Sequence, residues 1–108
     1  MTGVQTCALP ISEFGRTVRI NGTTGTDHGT GTVAFLAGGA VKGGRVIADW
    51  PGLGEAQLWQ NRDLKPTTDL RAVLKGVLGD HLGLSRAALD QRVFPGSAQV
   101  APMQGLVA

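Results

Sequence analysis

The clearest pattern along the chain is an apolar stripe between residues 70 and 82. Its members recur three and four residues apart, which places them on one face of an α-helix: Leu70, Val73, Leu74, Val77, Leu78 and Leu82. Thr67 or Thr68 can cap this helix, and Asp69 falls in its first turn, where the helix dipole favours a carboxylate. Gly83 is expected to end it. The sequence therefore predicts one amphipathic helix.

Two short apolar runs precede this helix. Residues 32–36 (TVAFL) and 45–48 (RVIA) are rich in β-branched side chains, and each is followed by glycine or proline. Runs of this kind are typical of short buried strands. One or two helical turns are expected within residues 55–62, and a shorter helical piece at 85–92.

Two short strands make only a marginal sheet on their own. The apolar helix face is therefore expected to pack on strands encoded upstream. We predict an α/β fold for the chain: the edge of a mostly parallel sheet with a packed amphipathic helix, taken from a larger domain.

The two ends of the chain differ from its middle. Residues 1–12 carry no charged side chain, lack a helical or strand period and contain Cys7, the only cysteine. No basic region precedes their apolar run, which argues against a signal peptide. The segment resembles read-through translation of a sequencing adapter, so we interpret residues 1–12 as a non-native leader. Residues 13–96 form the folded portion, and residues 97–108 are expected to be a loose tail.

Composition narrows the classes of function. The chain has 108 residues, enough for one domain, and a formal net charge of +2. Its lysines and arginines are scattered and only 5% of residues are aromatic, which argues against nucleic acid as a partner. No apolar stretch is long enough to span a membrane. Many of the 17 glycines lie between Gly15 and Gly54, which indicates a loop-rich segment.

The richest candidate chemistry is the adjacent pair Asp27 and His28, just before the first apolar run. A carboxylate oxygen and a neutral imidazole nitrogen both suit Zn²⁺, and the neighbouring glycines allow close approach. In the alternative interpretation, Asp27 makes a local Asx-type turn and His28 is an exposed loop residue. Residues 29–34 also spell a dinucleotide-binding pattern, but they would open a strand instead of a helix, so we reject it.

The other ionisable residues carry weaker signals. Glu13 and Arg16 flank Gly15, where they would form either a mutual ion pair or an anion-binding corner around Arg16. His81 lies near the end of the predicted helix, where the dipole favours a cation, and we interpret it as structural. No serine lies in a nucleophile elbow and no catalytic triad can be assembled. We therefore assign no catalytic residue to this chain.

Several short motifs occur in an order that resembles the C-terminal third of the bacterial "domain of unknown function 1501" family. The resemblance covers about residues 12–96. The motifs are Ser12-Glu13-Phe14-Gly15-Arg16-Thr17, Asn21-Gly22, Gly25-Thr26-Asp27-His28, Gly38-Gly39-x-Val41-Lys42-Gly43-Gly44, Arg62-Asp63-Leu64, Thr67-Thr68-Asp69 and Val93-Phe94-Pro95-Gly96.

That family is similar to the alkaline phosphatase and sulfatase superfamily, whose members use a Ser, Thr or Cys-derived nucleophile and two metal ions. The resemblance implies that residues 13–96 are the C-terminal portion of such a domain. It also implies that Glu13 and His28 occupy metal-ligand positions, with Asp27 adjacent. Superfamily enzymes commonly have Asp-His at the first of these positions, whereas this chain has Glu13 and Phe14, and phenylalanine cannot bind metal.

These resemblances imply a function for a longer parent protein. The parent would hydrolyse a small phosphate or sulfate ester with a divalent metal, zinc being the candidate, and the isolated chain would be inactive. Its first partner would be the missing upstream part of the same domain. The alternative is an exported, periplasmic binding or structural protein that kept the fold with a degraded metal site. Phe14 favours this alternative, and Asp27 with His28 favours the enzyme. The sequence itself assigns no localisation, since a targeting segment would lie upstream.

Overall fold

The computed structural model describes residues 7–8 and 15–108. Its fold is a mixture of helix and small antiparallel strand pairs. Strand β1 pairs with β4, and β2 pairs with β3. In chain order the elements are β1 (Cys7–Ala8), β2 (Gly15–Arg16), β3 (His28–Gly29), β4 (Ala37–Gly38), a 3-10 turn (Glu55–Gln57), α1 (Leu70–Leu82), α2 (Arg86–Ala88) and one π-helical turn (Leu89–Val93).

Helix α1 confirms the amphipathic helix that the sequence predicts. It ends at Gly83, whose φ of 72° lies in the left-handed region that favours glycine. The N-cap, however, is Asp69 instead of Thr67 or Thr68. Asp69 is extended, and its carboxylate accepts a hydrogen bond of 2.9 Å from the backbone nitrogen of Arg71. The short carboxylate thereby satisfies a backbone donor in the first turn of the helix.

The apolar stripe of α1 is partly buried in its central turns and exposed at its two ends. Val73 and Val77 pack against a small core formed by Ala40, Leu106 and Val107. At the two ends of the helix, Leu70 is 37% exposed and Leu82 is 63% exposed. The two fully covered residues of α1 are Lys75 and Gly76, which lie beside the stripe instead of within it.

The two apolar runs expected to be strands do not form strands in the described part of the chain. In residues 32–36, Val33 and Phe35 are exposed, and in residues 45–48 Val46 is 92% exposed. A strand needs a hydrogen-bonded neighbour along its length, and high β-propensity cannot replace that neighbour. The short antiparallel pairs form instead around glycines.

The C-terminal residues differ from the expected loose tail. Ser97, Leu106 and Val107 are buried. The backbone nitrogen of Met103 donates to Ala72 of α1 at 2.8 Å, and Val107 forms an antiparallel bridge with Val41. Residues 97–108 pack because distant parts of the chain supply their partners, which no local period in the sequence reveals.

The two short helical segments predicted before and after α1 are both present, but each is shorter than predicted. Within residues 55–62 only the 3-10 turn forms. Within 85–92, α2 begins after Ser85, whose hydroxyl accepts a hydrogen bond of 3.1 Å from the backbone nitrogen of Ala88. The chain then continues directly into the π-helical turn.

The described residues fall into two compact units. The first contains residues 7–8, 36–46 and 68–108, and therefore α1, α2 and the small core. The second contains residues 15–35 and 47–67, and therefore β2, β3 and the 3-10 turn. In residues 7–8 and 15–108, no helix combines the length and the apolar character needed to cross a membrane.

Candidate functional site

Strands β2 and β3 form a hairpin in the second unit, and two of the predicted site residues face each other across it. Arg16 pairs with His28, and Gly15 pairs with Gly29. A Cβ atom on Gly15 would lie 2.7 Å from the carbonyl carbon of Gly31, and one on Gly29 would lie 2.7 Å from that of Arg16. The backbones approach too closely for any side chain, which explains why the segment needs these glycines.

Asp27 precedes β3 and is tied to the loop that joins the two strands. Its Oδ1 accepts a hydrogen bond of 3.0 Å from Nδ2 of Asn21. The Oδ1 of Asn21 in turn accepts from the backbone nitrogens of Thr23 and Gly25, both at 3.0 Å. The Asx-type turn is therefore made by Asn21, and Asp27 accepts a hydrogen bond from the side-chain amide of that residue. His28 is exposed.

Arg16 is also exposed, and it donates from Nη1 to the backbone oxygen of Thr26 at 2.8 Å. A guanidinium group has five N–H donors, so the hydrogen bond to Thr26 does not use its whole donor capacity. Glu13, the possible ion-pair partner of Arg16, lies outside the described residues. Phe14 lies outside them as well.

The described residues do not form a metal centre among themselves. Within residues 7–8 and 15–108, no group of three or more His, Cys, Asp and Glu side chains could hold a metal ion. Zinc sites in proteins use three or four protein ligands. One oxygen of Asp27 already accepts a hydrogen bond from the amide of Asn21. A complete centre would need ligands from elsewhere.

Asp63 is a buried carboxylate that sequence reasoning did not single out beyond its place in a motif. Its side chain is 0% exposed. Oδ2 accepts a hydrogen bond of 3.1 Å from Oγ1 of Thr30, and Oδ1 lies 3.4 Å from Nε of Arg62. The Asp63 backbone forms antiparallel bridges with Thr17 and Trp59. Asp63 therefore contacts the β2–β3 hairpin through both its side chain and its backbone.

Lys75 is the second buried charge, and it lies in the first unit. Its ammonium group uses all three N–H donors, to Oδ1 of Asp90 at 2.5 Å and to the backbone oxygens of Ser97 at 2.7 Å and Val100 at 2.9 Å. Asp90 also accepts from Nε of Arg86 at 2.8 Å. The hydrogen bond from Lys75 lowers the pKa of Asp90, burial opposes that shift, and the hydrogen bond from Arg86 adds to the lowering. This saturated network joins α1, the π-helical turn and the C-terminal segment, and we interpret it as structural.

Comparison with known proteins identifies the family. No curated protein and no solved structure matches the chain. Residues 3–94 match the family model described as "Protein of unknown function (DUF1501)". The match begins within residues 1–12, and β1 lies there too, so the leader boundary stays a prediction. Because the match covers most of the sequence, the chain belongs to the DUF1501 family.

Proposed function

We propose that this chain is part of a metal-dependent hydrolase of phosphate or sulfate esters, in which His28 is one metal ligand and Arg16 binds the ester anion. The carrying observation is that Arg16 and His28 are cross-strand partners in the β2–β3 hairpin. Directly opposed residues of an antiparallel pair project to the same face of the ladder. An imidazole that can bind metal and a guanidinium that can bind an oxyanion therefore share one face.

The proposal needs the rest of the parent domain. Glu13 would be a second metal ligand, and the remaining ligands and the nucleophile would lie upstream. The parent would contain the mostly parallel sheet of an alkaline phosphatase-like fold. A bound divalent metal, with zinc as the candidate, would stabilise negative charge on the ester oxygens. The family's similarity to the phosphatase and sulfatase superfamily supports this assignment.

Metal content of the full-length parent tests the proposal. We expect His28→Ala to lose both bound metal and esterase activity, because one of three or four ligands is removed. His81→Ala is the matched control, since His81 is the other histidine of the chain and lies in the last turn of α1. It should retain both. Equal metal in wild type and His28→Ala, measured by elemental analysis, would remove His28 from the site. The isolated chain should bind zinc only weakly by calorimetric titration.

A second candidate function is a non-catalytic binding or structural role in an exported protein. Two observations favour it: Phe14 stands where the superfamily commonly has a histidine, and Asn21 already occupies an oxygen of Asp27. Under this candidate, the purified and folded parent contains no stoichiometric metal and turns over no ester. Metal analysis of the wild-type parent alone separates the two functions.

A further inference from the structure

We infer that Asp63 is a positioning residue that holds the β2–β3 hairpin, and with it Arg16 and His28, in place. The functional part of this inference rests on the proposed role of His28. Asp63 belongs to the turn that follows Trp59, where two backbone hydrogen bonds of 2.8 and 3.0 Å join these two residues. This turn is separated from the hairpin by about thirty residues of sequence, as the Thr30–Asp63 contact shows.

The contacts of Asp63 reach both strands next to the site residues. Thr17, which follows Arg16, forms the antiparallel bridge with Asp63. Thr30 lies two residues after His28, and its hydroxyl donates to Oδ2 of Asp63 at 3.1 Å. One buried carboxylate residue thus connects the strand of Arg16 to the strand of His28.

Neighbouring backbone contacts leave the hairpin little freedom against this turn. The backbone nitrogen of Val18 donates to the oxygen of Arg62 at 3.0 Å. A Cβ atom on Gly31 would lie 3.1 Å from both the carbonyl carbon and the Cβ of Leu64, so the chain after Thr30 lies directly against the turn. Packing sets the distance between hairpin and turn, and the Asp63 carboxylate fixes their register through Thr30.

Asp63 is a costly residue if its only purpose is stability. It is completely buried, and within residues 7–8 and 15–108 its Oδ1 accepts no hydrogen bond. The Arg62 side chain that lies near Oδ1 is 53% exposed, so water weakens that ion pair. A buried carboxylate with an unsatisfied oxygen destabilises a fold relative to a well-packed apolar residue. Such a cost is expected where a side chain fixes the geometry of a functional site.

Amide hydrogen exchange of the 108-residue chain tests the positioning directly. The probe is the amide of Val18, which bonds to Arg62 across the contact. We expect both Thr30→Val and Asp63→Ala to speed its exchange by about tenfold, the effect of losing a hydrogen bond to a charged group. The exchange rate of the double variant should be less than about twofold faster than that of the faster single variant, since both substitutions remove the same hydrogen bond between Thr30 and Asp63. The control is Asp49→Ala, which removes an exposed carboxylate from the same unit.

Exchange rates in both single variants that match the Asp49→Ala control would overturn the inference. If Asp63→Ala does not fold, the milder Thr30→Val decides, because it keeps the shape of the side chain and removes only the hydroxyl donor.

Zinc affinity of the parent separates positioning from mere stability. We expect Thr30→Val to weaken zinc binding by about tenfold, because the freed hairpin no longer orients His28, and losing a group that orients a metal ligand has effects of this size. If His28→Ala abolishes zinc binding and Thr30→Val leaves it unchanged, Asp63 is structural only and the inference is wrong. If His28→Ala itself leaves zinc content unchanged, the proposed function fails, and hydrogen exchange still decides whether Asp63 holds the hairpin.

Discussion

Gly76 offers the sharpest test of the packing around α1. It is buried in the middle of the helix, where glycine is ordinarily a poor choice. A Cβ atom there would overlap the backbone oxygen of Met103 and lie 3.1 Å from its carbonyl carbon and 3.3 Å from Cδ1 of Leu106. The obstacle is mainly backbone, which cannot move aside by changing a rotamer. Gly76→Ala must therefore displace the C-terminal segment or bend the helix.

The size of the effect follows from three opposing contributions. Forcing an extra carbon into a packed site costs about 1–3 kcal/mol. Displacing the segment also threatens the hydrogen bond from Met103 to Ala72, 2.8 Å long, which contributes about 1 kcal/mol. Alanine regains about 1 kcal/mol of helix propensity over glycine. We therefore expect Gly76→Ala to lower the free energy of unfolding by about 1–3 kcal/mol.

Gly79→Ala is the matched control, one turn later in the same helix. A Cβ atom on Gly79 would lie 3.7 Å from the oxygen of Leu84 and 3.7 Å from Cδ1 of Leu89, which is ordinary van der Waals contact. Only the propensity gain remains, so this variant should be stabilised by roughly 0.5–1 kcal/mol. Urea unfolding followed by circular dichroism at 222 nm reports on α1 in both variants. If Gly76→Ala is stabilised as much as Gly79→Ala, the close approach of the C-terminal segment to α1 is wrong.

Three further predictions concern the charges and the apolar stripe of α1. Lys75→Met should lower the free energy of unfolding by about 3 kcal/mol, because it removes the three hydrogen bonds of a buried ammonium group, whereas the exposed Lys65→Met should change the urea midpoint little. Because Lys75 lowers the pKa of Asp90, the stabilisation from this carboxylate is complete above roughly pH 4 and is lost as the pH falls through the lower pKa of the folded state. Unfolding measured across that range should show a smaller acid loss in Asp90→Asn. Val77→Asp should abolish the cooperative transition because it places an unpaired charge against the core, while Leu82→Asp, at a position 63% exposed, should leave the transition in place.

Helix α1 could be predicted because all of its signals are local. The apolar period and the terminating Gly83 lie within one short stretch, and each needs only neighbouring residues to act. Its N-cap was assigned one or two residues too early because Thr67, Thr68 and Asp69 are all competent caps. Backbone conformation decides among such candidates, and the sequence does not state it.

The strands and the C-terminal segment could not be predicted because their structure depends on distant residues. Residues 32–36 have strong β-propensity, yet they form no strand, and only Ala34 among them takes part in a β-bridge. Leu106 and Val107 are buried by contacts with Ala40 and α1. Two adjacent apolar residues are too few to show a helical or strand periodicity. The sequence around them therefore does not distinguish a packed segment from a frayed chain end.

The sequence analysis proposed site residues only where candidate side chains lie close together in the sequence, as Glu13 lies near Arg16 and Asp27 beside His28. Asp27 and His28 are adjacent, so the sequence shows both possible metal ligands side by side. The burial of Asp63 depends on a hairpin that begins more than thirty residues earlier, and the burial of Lys75 depends on carbonyl groups up to 25 residues later. From the sequence alone, both side chains are expected to be exposed to water, because lysine and aspartate are almost never fully buried unless they are paired.

The backbone contacts between residues 40–42 and 106–108 have a consequence for synthesis on the ribosome. Lys42 donates to Leu106 at 2.9 Å, Ala108 donates to Ala40 at 2.7 Å, and Arg45 bonds to an oxygen 60 residues away. The small core therefore cannot close until the last of these residues has left the exit tunnel. Until then the apolar face of α1 remains uncovered in the nascent chain, which makes this interval the one in which chaperone binding and aggregation compete with folding.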